Sequence, residues 1–186
     1  MSRSVLVAID MQEIFGRPDS PWATPDYASA SAGIERLLPA FSADAFGAET
    51  IFTRFVAPAQ PQGAWVPYYE QWSFALAPDD DPLYALTPPF REVARRIETR
   101  PTFGKWDAAF ATAMGDATEM VLTGVSTDCC VLSTALAAAD AGVHVRVVAD
   151  ACAGLSAADH RRALDAMALY APLIEITSVD EVLASR

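Results

Sequence analysis

Apolar residues recur along this chain in short unbroken runs, separated by segments in which they return every three or four positions. The clearest runs are Val5–Ile9, Thr50–Val56, Met120–Thr123 and Val143–Ala149, continuous enough for strands covered on both faces. Weaker runs at Arg96–Thr99 and Pro172–Thr177 bring the set to about six. Between them, Ile34, Leu37, Leu38 and Phe41 fall at helical spacing behind Thr24 as N-cap and Pro25 as first helical residue, and Pro39 kinks or shortens that helix. Phe90 to Arg96 reads as helix, Asp107 caps a segment carrying Phe110 and Met114, and Thr127 or Asp128 caps an Ala-rich segment that stops at Gly142. Ser156 with Asp159 and Ser178 with Glu181 are capping boxes for two final helices. Strands alternating with helices imply a three-layer α/β/α domain spanning residues 1–186, with a doubly wound, mostly parallel sheet of about six strands.

Sheets of this kind bind ligands beyond the C-terminal ends of their strands, and the reactive residue types collect there. Asp10 follows the first run, as a catalytic carboxylate or as a turn cap, with Gln12 and Phe15 just beyond it. Arg54 ends the second run and suits either a bidentate substrate carboxylate or an ion pair with one of the acidic residues. Arg100 and Lys105 flank the turn after the third run. Cys130 falls in the first helical turn after Met120–Thr123, where the helix dipole and free N–H groups lower a thiol's pKa. A thiol beside a carboxylate and a cation is an arrangement for acyl transfer, so Cys130 is the expected nucleophile.

Residues 57–89 form a long, proline-rich stretch with six aromatic residues, Trp65, Tyr68, Tyr69, Trp72, Phe74 and Tyr84. It reads as a pocket wall or as an excursion packed on the surface or against a second subunit. Gln12, Phe15, Arg54, Trp65, Tyr69 and Trp106 are the expected substrate-binding side chains, facing a small molecule.

Composition narrows the function. A formal charge of −11 leaves no basic patch for phosphates and argues against nucleic acid as a partner. Val5–Ile9 is too short for a signal-peptide core or a membrane span, which suits a cytoplasmic protein without a membrane partner. Three cysteines, two of them adjacent, suit reduced thiols rather than a disulfide framework. The two histidines, His144 and His160, lack ligand spacing, so no metal is expected. No glycine-rich phosphate loop follows the first strand, and no cofactor is expected.

Val7-Ala-Ile-Asp-Met-Gln12, Thr53-Arg54, Gly124-Val-Ser-Thr-Asp-Cys-Cys-Val131, Thr134-Ala and Val148-Ala-Asp-Ala151 together resemble the isochorismatase-like cysteine hydrolases. That superfamily includes isochorismatase, nicotinamidase and N-carbamoylsarcosine amidase. The resemblance implies a parallel sheet between helices, a homo-oligomer (dimer or tetramer), and amide hydrolysis by an Asp–Lys–Cys triad. It makes Asp10 the general base and Cys130 the nucleophile, with the N–H groups of Ser126 and Cys130 as oxyanion donors around a cis peptide before Ser126.

The chain departs from the pattern in two places. The family's lysine aligns with Arg100, judged by Phe103, Gly104 and Trp106, with Lys105 as the second candidate cation. The Asp-x-His metal pattern of nicotinamidases is absent after Arg54. An intact Cys130 points to a metal-independent cysteine amidohydrolase for a small amide or N-carbamoyl substrate. The displaced lysine motivates the rival reading, a weakened member that binds a small molecule or partner.

Overall fold

The computed structural model describes residues 3–41 and 49–186. In chain order it contains β1 (Ser4–Ile9), α1 (Glu13–Gly16), α2 (Tyr27–Leu37), β2 (Glu49–Phe55), α3 (Trp65–Gln71), α4 (Pro88–Arg91), β3 (Ile97–Arg100) and α5 (Ala108–Met114). It continues with β4 (Glu119–Val125), α6 (Leu132–Asp140), β5 (His144–Ala153), α7 (Ala157–Ala168), β6 (Ile174–Thr177) and α8 (Val179–Ala184). The six strands form one sheet in the order β3-β2-β1-β4-β5-β6, and every neighbouring pair is parallel. The order reverses between β1 and β4. A crevice opens where strand order reverses, and a ligand site is expected there.

Alternate residues of β1 explain the layering. Val5, Val7 and Ile9 belong to a core shared with Phe110 and Met114 of α5, Ala135 and Ala138 of α6, and Ala163 and Met167 of α7. Leu6 and Ala8 point the other way, into a core with Ala30, Ile34 and Leu37 of α2 and Val179 and Val182 of α8. The strand is therefore buried on both faces, as its unbroken apolar run predicts. The small residues of α6 bring that helix close to the sheet. Among the described residues no helix is long and apolar enough to cross a membrane.

Several local expectations hold. Asp107 accepts the Phe110 N–H at 2.7 Å, Ser156 accepts that of Asp159 at 3.1 Å, and Ser178 with Glu181 forms a complete capping box. Gly142 sits at φ +87° just past α6. The helix before Pro39 ends at Leu37 and tightens into a 3₁₀ turn over Leu38–Phe41.

Others are corrected. α2 starts at Tyr27 behind Asp26 rather than at Pro25, and the Thr24 hydroxyl is buried without a partner. The helix read over Phe90–Arg96 is only Pro88–Arg91. Residues 57–89 are not irregular throughout. They hold α3 and 3₁₀ turns at Ser73–Ala75 and Pro82–Tyr84, folded over a third small core of Ile14, Phe55, Ala57, Tyr69, Ala75 and Tyr84. Aromatic side chains supplied the burial that strand or helix periodicity did not announce.

Candidate active site

Asp10 leaves β1 with φ +50°, the one left-handed non-glycine residue among the described residues. Such a conformation is uncommon and costs about 1–3 kcal/mol unless its surroundings hold it. Two neighbours do so. Thr53, near the end of β2, donates its hydroxyl to Asp10 Oδ1 at 2.6 Å and accepts the Asp10 N–H at 3.0 Å. On the other side, Gly124 at φ +104° lies so close to Ile9 that a Cβ would come within 2.2 Å of the Ile9 carbonyl oxygen. Only glycine lets β4 pass β1 at this point.

Asp10 Oδ2 has no aligned hydrogen-bond donor, but Lys105 Nζ stands 2.7 Å from it, and both side chains are fully buried. Lys105 arrives from the turn after β3. Its ammonium also donates to the Thr102 carbonyl at 2.8 Å and lies 5.6 Å from the centre of the Phe55 ring. Its backbone N–H donates to Thr134 Oγ1 at 3.0 Å, and that hydroxyl donates to the Cys130 carbonyl at 2.7 Å. Thr134 thus joins the backbones that carry the cation and the thiol.

Cys130 lies in a π-helical turn, Thr127–Val131, that runs into α6, and the peptide bond before Ser126 is cis. Neither Thr127 nor Asp128 caps this turn. The Thr127 hydroxyl bonds His160 Nδ1 at 2.8 Å, and Asp128 Oδ1 accepts the Leu155 N–H at 3.0 Å. The thiol feels the charge of both the Asp10 carboxylate and the Lys105 ammonium, and Cys130 is 5 % exposed.

The Cys130 thiol's pKa shifts upward, opposite to the lowering expected from a helix N-terminus. Burial is the main cause, Lys105 opposes it, and the Asp10 carboxylate adds to it. One ammonium cannot neutralise two anions.

Above this trio lies a cavity of about 210 Å³. Ser126, Cys129 and Cys130 line it on the side of the π-helical turn. The remaining wall comes from Phe15, Pro21, Trp22, Thr24, Phe55, Trp65, Tyr68, Tyr69, Trp72, Phe103 and Leu155. The rings interlock: Trp22 meets Phe55 at 5.7 Å, Tyr68 at 6.1 Å and Phe74 at 5.1 Å, while Trp65 meets Tyr68 at 5.3 Å and Phe103 at 5.6 Å.

The structure brings together Asp10, Lys105, Cys130, Ser126, Phe15, Trp65 and Tyr69, and separates four other expected residues. Arg100, the favoured positional equivalent of the lysine, holds Asp107 through Nε at 2.8 Å and a second nitrogen at 3.0 Å, and reaches Glu98 at 3.3 Å. The cation beside Asp10 is Lys105. Arg54 pairs with Asp79 instead of facing the cavity. Gln12 is buried in backbone bonds, donating to the Phe55 and Tyr84 carbonyls and accepting the Phe55 N–H. Trp106 packs beside Phe110 under the sheet, 6.0 Å between ring centres.

Thr53 and Thr134 enter the sequence reading only as parts of a pattern, because a threonine's partner across 43 or 29 positions leaves no local trace. Trp22, between Pro21 and Ala23, carries no periodic signal. Among the described residues no group of three His, Cys, Asp or Glu could hold a metal ion.

The family model described as Isochorismatase domain matches residues 4–181. No curated protein matches the chain. Among solved structures, an isochorismatase family protein from Desulfovibrio vulgaris subsp. vulgaris str. Hildenborough superposes with a TM-score of 0.84 at 18 % identity, covering 99 % of this chain and 100 % of that one. A cysteine hydrolase from Pseudomonas syringae pv. phaseolicola 1448A gives 0.83 at 22 % identity, over 98 % and 91 %. The MAR1 ribonuclease from Caenorhabditis elegans gives 0.73 at 20 % identity, over 98 % and 80 %. At these identities the structures speak for the fold, and the family model speaks for the family: the chain belongs to the isochorismatase family of hydrolases.

Proposed function

We propose that this protein is a metal-independent cysteine amidohydrolase that cleaves a small amide or N-carbamoyl compound through a Cys130 thioester. The observation that carries the reading is the meeting of Cys130, Asp10 and Lys105 below an aromatic-lined cavity. Asp10 takes the thiol proton as sulfur attacks the carbonyl carbon, so an S–C bond forms while the carbonyl electron pair moves to oxygen. The N–H groups of Ser126 and Cys130 receive that oxyanion. On collapse the C–N bond breaks, and the nitrogen leaves with the proton held by Asp10. Water then adds to the thioester, Asp10 takes its proton, and release of the acid returns the proton to sulfur. Lys105, 2.7 Å from Asp10 Oδ2, holds the carboxylate in place between steps.

Lys105 beside Asp10 removes the motive for the weakened-binder reading, which rested on a missing lysine. The likeness to a MAR1 ribonuclease brings no RNA reading, because no lysine or arginine lines the cavity to take a phosphate. A substrate carboxylate is likewise dropped, since Arg54 is engaged by Asp79. The reading places the chain in the cytoplasm as a homo-oligomer.

The test is ammonia release from a panel of small amides and ureido compounds, with wild type against Cys130→Ala. Loss of turnover by at least about a thousand-fold is expected when a nucleophile is removed, together with loss of the acyl-enzyme mass on the intact chain. Turnover unchanged in Cys130→Ala would sink the assignment.

A further inference from the structure

The cavity wall is more selective than an amidase needs for the carbonyl alone. Eight of its fourteen lining residues are aromatic, and none is Asp, Glu, Lys, Arg or His. The two cations expected near it are engaged, Lys105 by Asp10 and Arg54 by Asp79. A charged group on the substrate would lose water against an apolar lining without gaining a counter-ion, which carries a free-energy penalty.

Size and shape narrow the occupant further. About 210 Å³ falls below the roughly 300–1,000 Å³ of sites for drug-sized ligands, so one ring fits and two do not. Phe15 and Trp22 lie nearly parallel, 8° apart at 6.1 Å, and form one wall with Phe55. Tyr68 stands edge-on to Trp65 at 87° and to Phe103 at 87°, forming the other. Trp22 and Tyr68 bridge the walls at 6.1 Å. A flat ring seated in the cavity against this lining meets both faces and edges, the two geometries aromatic pairs prefer. Tyr68 is half-buried and lines the same cavity as Cys129 and Cys130.

We propose, resting on the amidohydrolase reading above, that the substrate's body is a single uncharged aromatic ring carrying the scissile amide or N-carbamoyl group. Trp22 and Tyr68 are the residues that select it. Selection acts on binding, so it appears in KM rather than kcat.

Two parallel measurements on the full chain test this. Ammonia release is followed for phenylacetamide, isobutyramide and 4-carboxyphenylacetamide, and binding of the same three compounds to Cys130→Ala is followed by tryptophan fluorescence. Phenylacetamide is expected to exceed isobutyramide by about ten-fold in both kcat/KM and affinity. The carboxylated ring should fall about a hundred-fold below phenylacetamide. Trp22→Ala should raise KM for phenylacetamide about ten-fold with kcat little changed, and Trp22→Phe should restore it.

Turnover of all three compounds without that order overturns ring selection and leaves the amidohydrolase reading standing. Preferential binding of phenylacetamide with no ammonia from any amide overturns the amidohydrolase reading and supports ring selection. Neither turnover nor preference overturns both.

Discussion

Replacing Lys105 with methionine keeps most of the side chain's volume under Phe55 and removes one charge. It leaves the Asp10 carboxylate fully buried, with the Thr53 hydroxyl as its remaining side-chain hydrogen-bond partner. Breaking a buried ion pair from one side costs about 3–5 kcal/mol, because the surviving charge has lost its counter-ion without regaining water. In a domain of this length each kcal/mol moves Tm by about 2–4 °C, so Lys105→Met should lower it by about 6–20 °C. Turnover should fall at least about a hundred-fold, since the base is no longer held in place and the site has lost its positive charge.

Arg100→Met is the control. Its ion pairs with Asp107 and Glu98 lie near the surface, where each contributes about 0.2–1 kcal/mol, and its loss should leave kcat/KM unchanged. Adding Asp10→Asn to Lys105→Met removes the orphaned charge and should recover part of the lost Tm while activity stays absent. Differential scanning calorimetry and ammonia release read both variants. A Lys105→Met protein with wild-type Tm and turnover, beside an inactive Arg100→Met, would return the cationic role to Arg100.

Two further outcomes follow from the geometry. Thr53→Val keeps the shape of the residue but removes both of its bonds to Asp10; about 1–3 kcal/mol of stability should go, with a fall in kcat and little change in KM, and an unaltered kcat would show that Asp10 is positioned by other means. Because burial beside Asp10 pushes the Cys130 thiol upward, its alkylation by iodoacetamide should keep climbing about ten-fold per pH unit through pH 9, where an ordinary thiol with a pKa of about 8.5 levels off. A plateau below pH 8, read by mass spectrometry of the labelled peptide, contradicts that direction.

The strands and most of the helix ends were legible because their signals are local: β1 reads as an unbroken apolar run, and Ser178 with Glu181 is a box four residues long. Asp10 and Cys130 were legible for a related reason, since each follows a strand directly. What escaped depends on how separated segments meet. Arg100 and Lys105 stand five positions apart on one turn, and nothing in that turn tells which of them faces β1. Asp107, which draws Arg100 away, is visible only as a helix cap. Arg54 and Gln12 were misread because polar side chains at strand ends serve architecture as readily as chemistry. Trp22 was missed altogether, being an aromatic residue in a segment without period.

Gln12 has a consequence for remodelling this site. Its amide spans three backbones, β1 just past Asp10, the end of β2 at Phe55, and the segment over the cavity at Tyr84. The roof that shapes the substrate and the strand exit that carries the base are thus one mechanical unit, clamped by a single side chain. An engineer can exchange Trp65, Tyr68 or Trp72 on α3 and leave that clamp closed. Shortening the roof near Tyr84 would open it, and the disturbance would be felt first two residues away, at Asp10.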